Sequence, residues 1–257
     1  GSRGLGDVYK RQMYVYYICE KNRSKMDGLN CFKQLFPNDD ELVDYVIRNT
    51  LFFKKDIVFQ QARVYRQAIR MGEAIPVRYT SKGAFFRQHE VKTTTPRFRN
   101  KKEAVLFTKD SANAVFHKDT KIRVCFDPDG NYYPKKEILK YTGHRVSWGS
   151  TSSVVNYNIA HIWGKTDNPL FFSLLWNYAL IPCHCTFLTD KKEENDVVMK
   201  NIKNLLKAIS IELYDPNRIM DWNQDVLSID DYPVMEYLQK GRKWIINKNI
   251  NFLESII

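Results

Sequence analysis

The stretch that most constrains this chain is residues 155–185. Its first part, Val155-Asn156-Tyr157-Asn158-Ile159-Ala160-His161-Ile162-Trp163-Gly164, reads as a strand that ends in a histidine, followed by a polar loop. Its second part, Leu175-Trp176-Asn177-Tyr178-Ala179-Leu180-Ile181-Pro182-Cys183-His184-Cys185, reads as a strand opening on an asparagine and closing in a turn with a second histidine. Two strands joined this way make a hairpin, and the rest of the chain has to pack around it.

The flanking sequence supplies helices and short strands. Residues 1–12 (GSRGLGDVYKRQ) look like a translated sequencing adapter and are set aside as a tag-like artefact. Residues 14–19 suggest a short strand. Asn38-Asp39-Asp40-Glu41 offers a cap and an acidic first turn to a helix carrying Leu42, Val43, Val46 and Ile47 on one face. A second helix is expected over residues 56–71, with Gly72 past its end and Arg63, Arg66 and Arg70 on its polar side. Threonines 93–95 and Pro96 exclude a long helix from residues 75–102, which read as loops and short strands. Residues 121–126 read as a strand running into the turn Asp127-Pro128-Asp129-Gly130. Beyond the hairpin, helical spacing is expected from about residue 190 to 213, and again over 232–257 with Gly241 as an interruption. The fold class that follows is α+β, a mixed helical and short-strand protein.

Charge divides the chain unevenly. The net charge is +11, yet residues 151–257 hold 11 Lys and Arg against 13 Asp and Glu, leaving 29 against 16 for residues 1–150. Such an excess suits a phosphate backbone, where each neutralised phosphate releases counterions; a solvated basic surface is the plainer reading. Within residues 75–102, Arg78, Lys82, Arg87, Arg97, Arg99, Lys101 and Lys102 alternate with Tyr79, Phe85, Phe86 and Phe98. Cations hold phosphates and aromatic faces stack on exposed bases. No apolar run approaches the roughly 20 residues that a membrane span needs. Five cysteines without a CxxC pair favour a reduced, cytoplasmic setting.

The order His161, Asn177, His184 is the chemically suggestive set. Phosphodiester hydrolysis needs a base for the attacking water and stabilisation of the phosphate and leaving oxygen. The wording Asn-Ile-Ala-His-Ile-Trp-Gly, then Asn-Pro-Leu-Phe-Phe and Leu-Trp-Asn-Tyr-Ala-Leu-Ile-Pro, resembles the HNH, or ββα-metal, endonucleases of restriction and mobile-element proteins. The resemblance covers about a fifth of the chain. It implies a ββα-metal hairpin with His161 as general base, Asn177 orienting that imidazole or bracing the hairpin, and His184 as a metal ligand. Most members carry Asp or His just before the base histidine, where this chain has Ala160; Asn158 or Asp190 would have to substitute. The third motif position, by the usual spacing, falls nearer Thr186 than His184. The ion implied is Mg²⁺, or Mn²⁺, and Arg145 and Lys165 become phosphate clamps by proximity.

Other readings of the same residues stay open. His161 between Ile159 and Ile162 also suits a satisfied core histidine, and Asn177 a turn residue. Cys183-His184-Cys185 lacks a second ligand pair for zinc. The Pro-Asp pair at residues 128–129 invites comparison with the other large nuclease class, but residues 141–165 contain no Asp or Glu.

The expectation is therefore a metal-dependent DNA endonuclease acting on double-stranded DNA, in the manner of a type II restriction or mobile-element enzyme. A palindrome-cutting enzyme of this kind would be a homodimer. The alternative is a non-catalytic DNA-binding protein with a degenerate nuclease hairpin. The implied organisation is a basic DNA-binding region over 13–140, the HNH-like region over 141–195, and a helical region over 196–257 packing on the core.

Overall fold

The computed structural model describes residues 28–80, 86–88, 95–110, 112–147, 151–190, 196–214 and 233–257. The expected strand at 14–19 lies outside them. The chain divides into a unit ending at Leu42 and a unit of residues 43–257. The first unit contains α1 (Gly28–Lys33) and the start of α2 (Asp39–Arg48), where the Asn38 side chain accepts the Glu41 N–H at 2.8 Å as the sequence anticipates.

Two small sheets organise the second unit. Along the chain come β1 (Leu51–Phe53), α3 (Lys55–Arg70), β2 (Ile75–Val77), β3 (Phe86–Arg87), α4 (Lys101–Lys109), β4 (Val115–His117), β5 (Arg123–Phe126) and α5 (Tyr132–Thr142). Then follow β6 (Tyr157–His161), β7 (Tyr178–Pro182), the short α6 (Phe187–Asp190), α7 (Val197–Tyr214), α8 (Met235–Ile246) and β8 (Asn251–Leu253). Sheet A has the order β6-β7-β1-β8 and sheet B the order β2-β5-β4-β3. The class is mixed α+β.

Sheet A is the heart of the core. β7 is an inner strand, and all five of its residues are buried, so its sequence is a continuous apolar run rather than an alternation. β1 lies antiparallel to β7 and parallel to β8, so the sheet joins residue 51 to residues 180 and 251. The hairpin is thus one edge of a sheet whose other strands come from outside 141–195. α7 is tied to it by polar contacts: the Tyr214 hydroxyl donates to the Phe53 carbonyl at 2.9 Å, and Ser210 Oγ donates to the Trp176 carbonyl at 2.9 Å.

Three expectations change. α4 and α5 were not legible as helices. Each starts where an asparagine or aspartate takes up orphan N–H groups: Asn100 accepts Glu103 N–H at 3.0 Å, and the buried Asp127 carboxylate accepts Tyr133 N–H at 2.8 Å. The last helix ends at Ile246, because residues 251–253 leave it to pair with β1. It also runs through Gly241 unbroken. A Cβ there would come within 3.0 Å of the Ala208 backbone, so the glycine allows α8 to approach α7. Among the described residues, no helix is long and apolar enough to cross a membrane.

Candidate functional site

The hairpin begins with five paired positions, from His161 opposite Tyr178 to Tyr157 opposite Pro182. A loop of residues 162–177 closes it, ending in a 3-10 turn, Leu175–Asn177. Asn177 is fully buried and fastens that loop. Its Oδ1 accepts the Trp163 N–H at 2.8 Å, its Nδ2 donates to the carbonyls of Phe171 at 2.9 Å and Gly164 at 3.4 Å, and its own carbonyl accepts Ile162 N–H at 2.8 Å. Three loop segments converge on one amide. Of the two roles implied for Asn177, these contacts are those of the brace; its side-chain partners are backbone groups of the loop.

His161 lies at the loop end of β6. Its ring is parallel to Phe172 at 5.5 Å and meets the edge of Tyr178 at 5.1 Å. Nε2 is 3.2 Å from the Phe172 carbonyl, which can only accept, so this nitrogen carries the proton and Nδ1 the lone pair. Burial, helped by the positive Arg78 nearby, lowers the pKa to about 3. The imidazole is neutral at pH 7, as a base must be. It is a weak one, because its conjugate acid gives up the proton far below neutrality.

Arg78 links the hairpin to sheet B. Its guanidinium donates to the Gly130 carbonyl (3.2 and 3.0 Å) and to Asn131 Oδ1 (2.9 Å), and stands 5.7 Å from the Phe172 ring centre. Its backbone N–H donates to Thr166 O at 2.7 Å. Expected as a phosphate contact, it is engaged in holding the 127–131 turn against the 162–177 loop.

The other implied ligands lie elsewhere. His184 follows the far end of β7, in the 3-10 turn Cys183–Cys185, exposed and 3.0 Å from the Tyr45 hydroxyl. Four steps of strand separate the pair at His161 from the pair at Pro182, a distance of about 13 Å. Asn158 and His161 are three apart on one strand and so point to opposite faces. Asn158 Nδ2 donates to Thr186 Oγ1 at 2.9 Å. Asp190 closes α6, and its side chain lies outside the described residues. Among the described residues no three His, Cys, Asp or Glu side chains gather to hold a metal ion. Among the described residues the hairpin offers imidazole and amide donors at separate places, whereas Mg²⁺ or Mn²⁺ needs several oxygen ligands around one point.

Sequence reasoning missed a polar group under the hairpin loop. Gln61 Nε2 donates to Glu137 Oε2 at 2.9 Å and to the Ser173 carbonyl at 2.7 Å, while its Oε1 accepts Leu175 N–H at 3.1 Å. Tyr65 donates to Pro169 O at 3.2 Å, and Tyr178 to Phe172 O. Burial raises the Glu137 pKa above the ordinary carboxylate value. The signal was present: Gln61 sits between Ile57 and Tyr65 at four-residue steps, a polar residue on an apolar stripe.

Comparison with known proteins places the chain in a family. The family described as "Uncharacterised protein PM1201" matches residues 53–255. The chain belongs to that family. A relative from Pasteurella multocida (strain Pm70), itself called uncharacterized protein PM1201, is 27% identical over 140 residues, 52% of this chain. The match spans 59% of that relative's length. No solved structure matches. The PM1201 match runs from the last residue of β1 to just beyond β8, so it takes in both sheets and the hairpin.

In this PM1201-family chain the residues expected to hold phosphates are spread over several surfaces. Arg63 and Arg70 are exposed on α3, with Arg66 half-buried between them. Arg97, Arg99 and Lys102 are exposed and Lys101 half-buried around the start of α4, and Arg87 is half-buried on β3 with Nη1 2.9 Å from Thr95 Oγ1. Arg145 is exposed, and Lys165 Nζ lies 5.8 Å from the Phe171 ring centre. Lys82 lies outside the described residues.

Proposed function

We propose that this protein binds DNA through the basic surface of sheet B and its helix α4, the nuclease-like hairpin serving as structure. The observation that carries the reading is the concentration of charge there. Residues 95–126 hold eight Lys and Arg against three Asp and Glu, and Arg97, Arg99, Lys102, Lys109, Lys118 and Lys121 are all exposed. Exposed cations on a small rigid support suit a phosphate backbone, whose neutralisation releases counterions. The test is binding of a labelled DNA duplex at two salt concentrations. Affinity is expected to fall steeply with salt, and the triple variant Arg97→Gln/Lys102→Gln/Lys121→Gln to lower the log–log slope by about 0.9 for each phosphate that is no longer neutralised. Undetectable binding at low salt would end this reading.

A second reading has one specific observation in its favour. Asn177 fastens the loop directly behind the strand that ends in His161, an arrangement expected of an HNH hairpin, and this supports a metal-dependent DNA endonuclease. The separation of His161 from His184 and Asn158 among the described residues weighs against it. Plasmid nicking in Mg²⁺ or Mn²⁺ that disappears in His161→Ala would make the catalytic reading the better one; no nicking by the unaltered protein would remove it.

A further inference from the structure

We infer that the face of sheet B turned away from α4 is a docking surface for a single-stranded segment of nucleic acid, seated on the cross-strand row Arg87, Phe116, Arg123. The inference rests on the DNA-binding reading and narrows it to a strand with unpaired bases.

The row follows from register. Arg87 pairs with Phe116, and Phe116 pairs with Arg123, so the three occupy one line across β3, β4 and β5. Their neighbours along the strands, Phe86, Val115, Val124 and Phe126, pack with Ala104 and Val105 of α4 in one buried cluster. Successive strand residues face opposite ways, so Arg87, Phe116 and Arg123 share the other face. All three are half-buried rather than enclosed. The result is an aromatic ring between two guanidinium-bearing residues, spanning about 10 Å across three strands.

Cross-strand neighbours of this kind suit an unpaired strand better than a duplex. A ring on a sheet offers a π-face to any base, which a duplex keeps stacked inside, while the flanking cations take the phosphates on either side. Thr95 holds the Arg87 guanidinium at 2.9 Å, which limits its freedom. The surroundings are complementary to a polyanion: exposed Lys118 and Lys121 stand in the turn joining β4 to β5, against one acid there, Asp119.

The test uses the full chain and two labelled probes, oligo(dT) of about 16 nucleotides and a duplex of matching length, read by fluorescence anisotropy. Phe116→Leu is expected to weaken oligo(dT) binding about tenfold and to leave duplex binding unchanged, while Phe116→Tyr binds both as the unaltered protein does. Arg87→Gln and Arg123→Gln should each weaken oligo(dT) binding and flatten its salt dependence. Thermal melting confirms folding, and the two arginine variants carry the test if Phe116→Leu does not fold. Unaltered oligo(dT) affinity in a folded Phe116→Leu, or duplex binding without any oligo(dT) binding, would overturn the inference and leave DNA binding standing. Binding of neither probe would overturn both, and self-association that these substitutions abolish without any oligo(dT) binding would overturn the inference.

Discussion

Sheets A and B solve opposite problems. In sheet A the polar side chains that look chemically capable are turned inward: Asn177 spends its amide on three backbone groups, and His161 lies against two aromatic rings with its Nε2 proton on a carbonyl. In sheet B one face is an apolar cluster under α4, while the positive residues of the surrounding segments reach solvent. Histidine and asparagine in motif order do not by themselves make a reactive site. What matters is whether their donors and lone pairs are already committed: the Asn177 amide and the His161 Nε2 proton are, and the His161 Nδ1 lone pair belongs to a base with a pKa of about 3.

The contrast can be broken most directly at Asn177. Asn177→Ala is expected to cost about 3 kcal/mol, because it strands the buried Trp163 N–H and the Phe171 carbonyl, and urea unfolding should show it as a lower midpoint. A loss under about 1 kcal/mol would mean the loop is not held there.

Acid is the next lever. His161 titrates near 6.5 in the unfolded chain and near 3 in the fold, so between those values only the unfolded state takes the proton. The stability tied to this neutral imidazole is complete above pH 6.5 and is lost progressively as pH falls toward 3, by about 2 kcal/mol at pH 5. His161→Phe keeps the ring packing, and Tyr178 still donates to the Phe172 carbonyl. Its unfolding midpoint should therefore depend less on pH between neutrality and about pH 5; an undiminished acid loss would place the titration elsewhere.

The smallest effect is expected in sheet B. Arg97→Gln and Lys102→Gln remove exposed charges and should change stability by less than about 0.5 kcal/mol, while lowering DNA affinity. A large melting shift would show these cations to be structural after all.

Much of the secondary structure was legible. The strand ending at His161, the strand after Asn177 and the turn at His184 follow from β-branched and aromatic runs bounded by Gly164 and Pro182. α3 follows from its apolar stripe and the left-handed Gly72 beyond it. α4 and α5 were hidden because their starts depend on side-chain oxygens reaching back to the chain, and their apolar spacing is shared with loops. β8 was hidden because three residues at the end of a helical pattern carry little signal until a distant strand pairs with them.

By itself the sequence determined that residues 155–185 form a hairpin, that the fold is mixed α+β and that positive charge is segregated, since these rest on local spacing and on counting. Only the tertiary structure decided where the motif residues sit and what they touch. Whether His161 meets His184 depends on strand register, whether Arg78 faces solvent depends on a turn about fifty residues away, and whether Phe116 stands between two arginines depends on pairing across three strands. Each of those is a long-range contact, and spacing along the chain does not encode it.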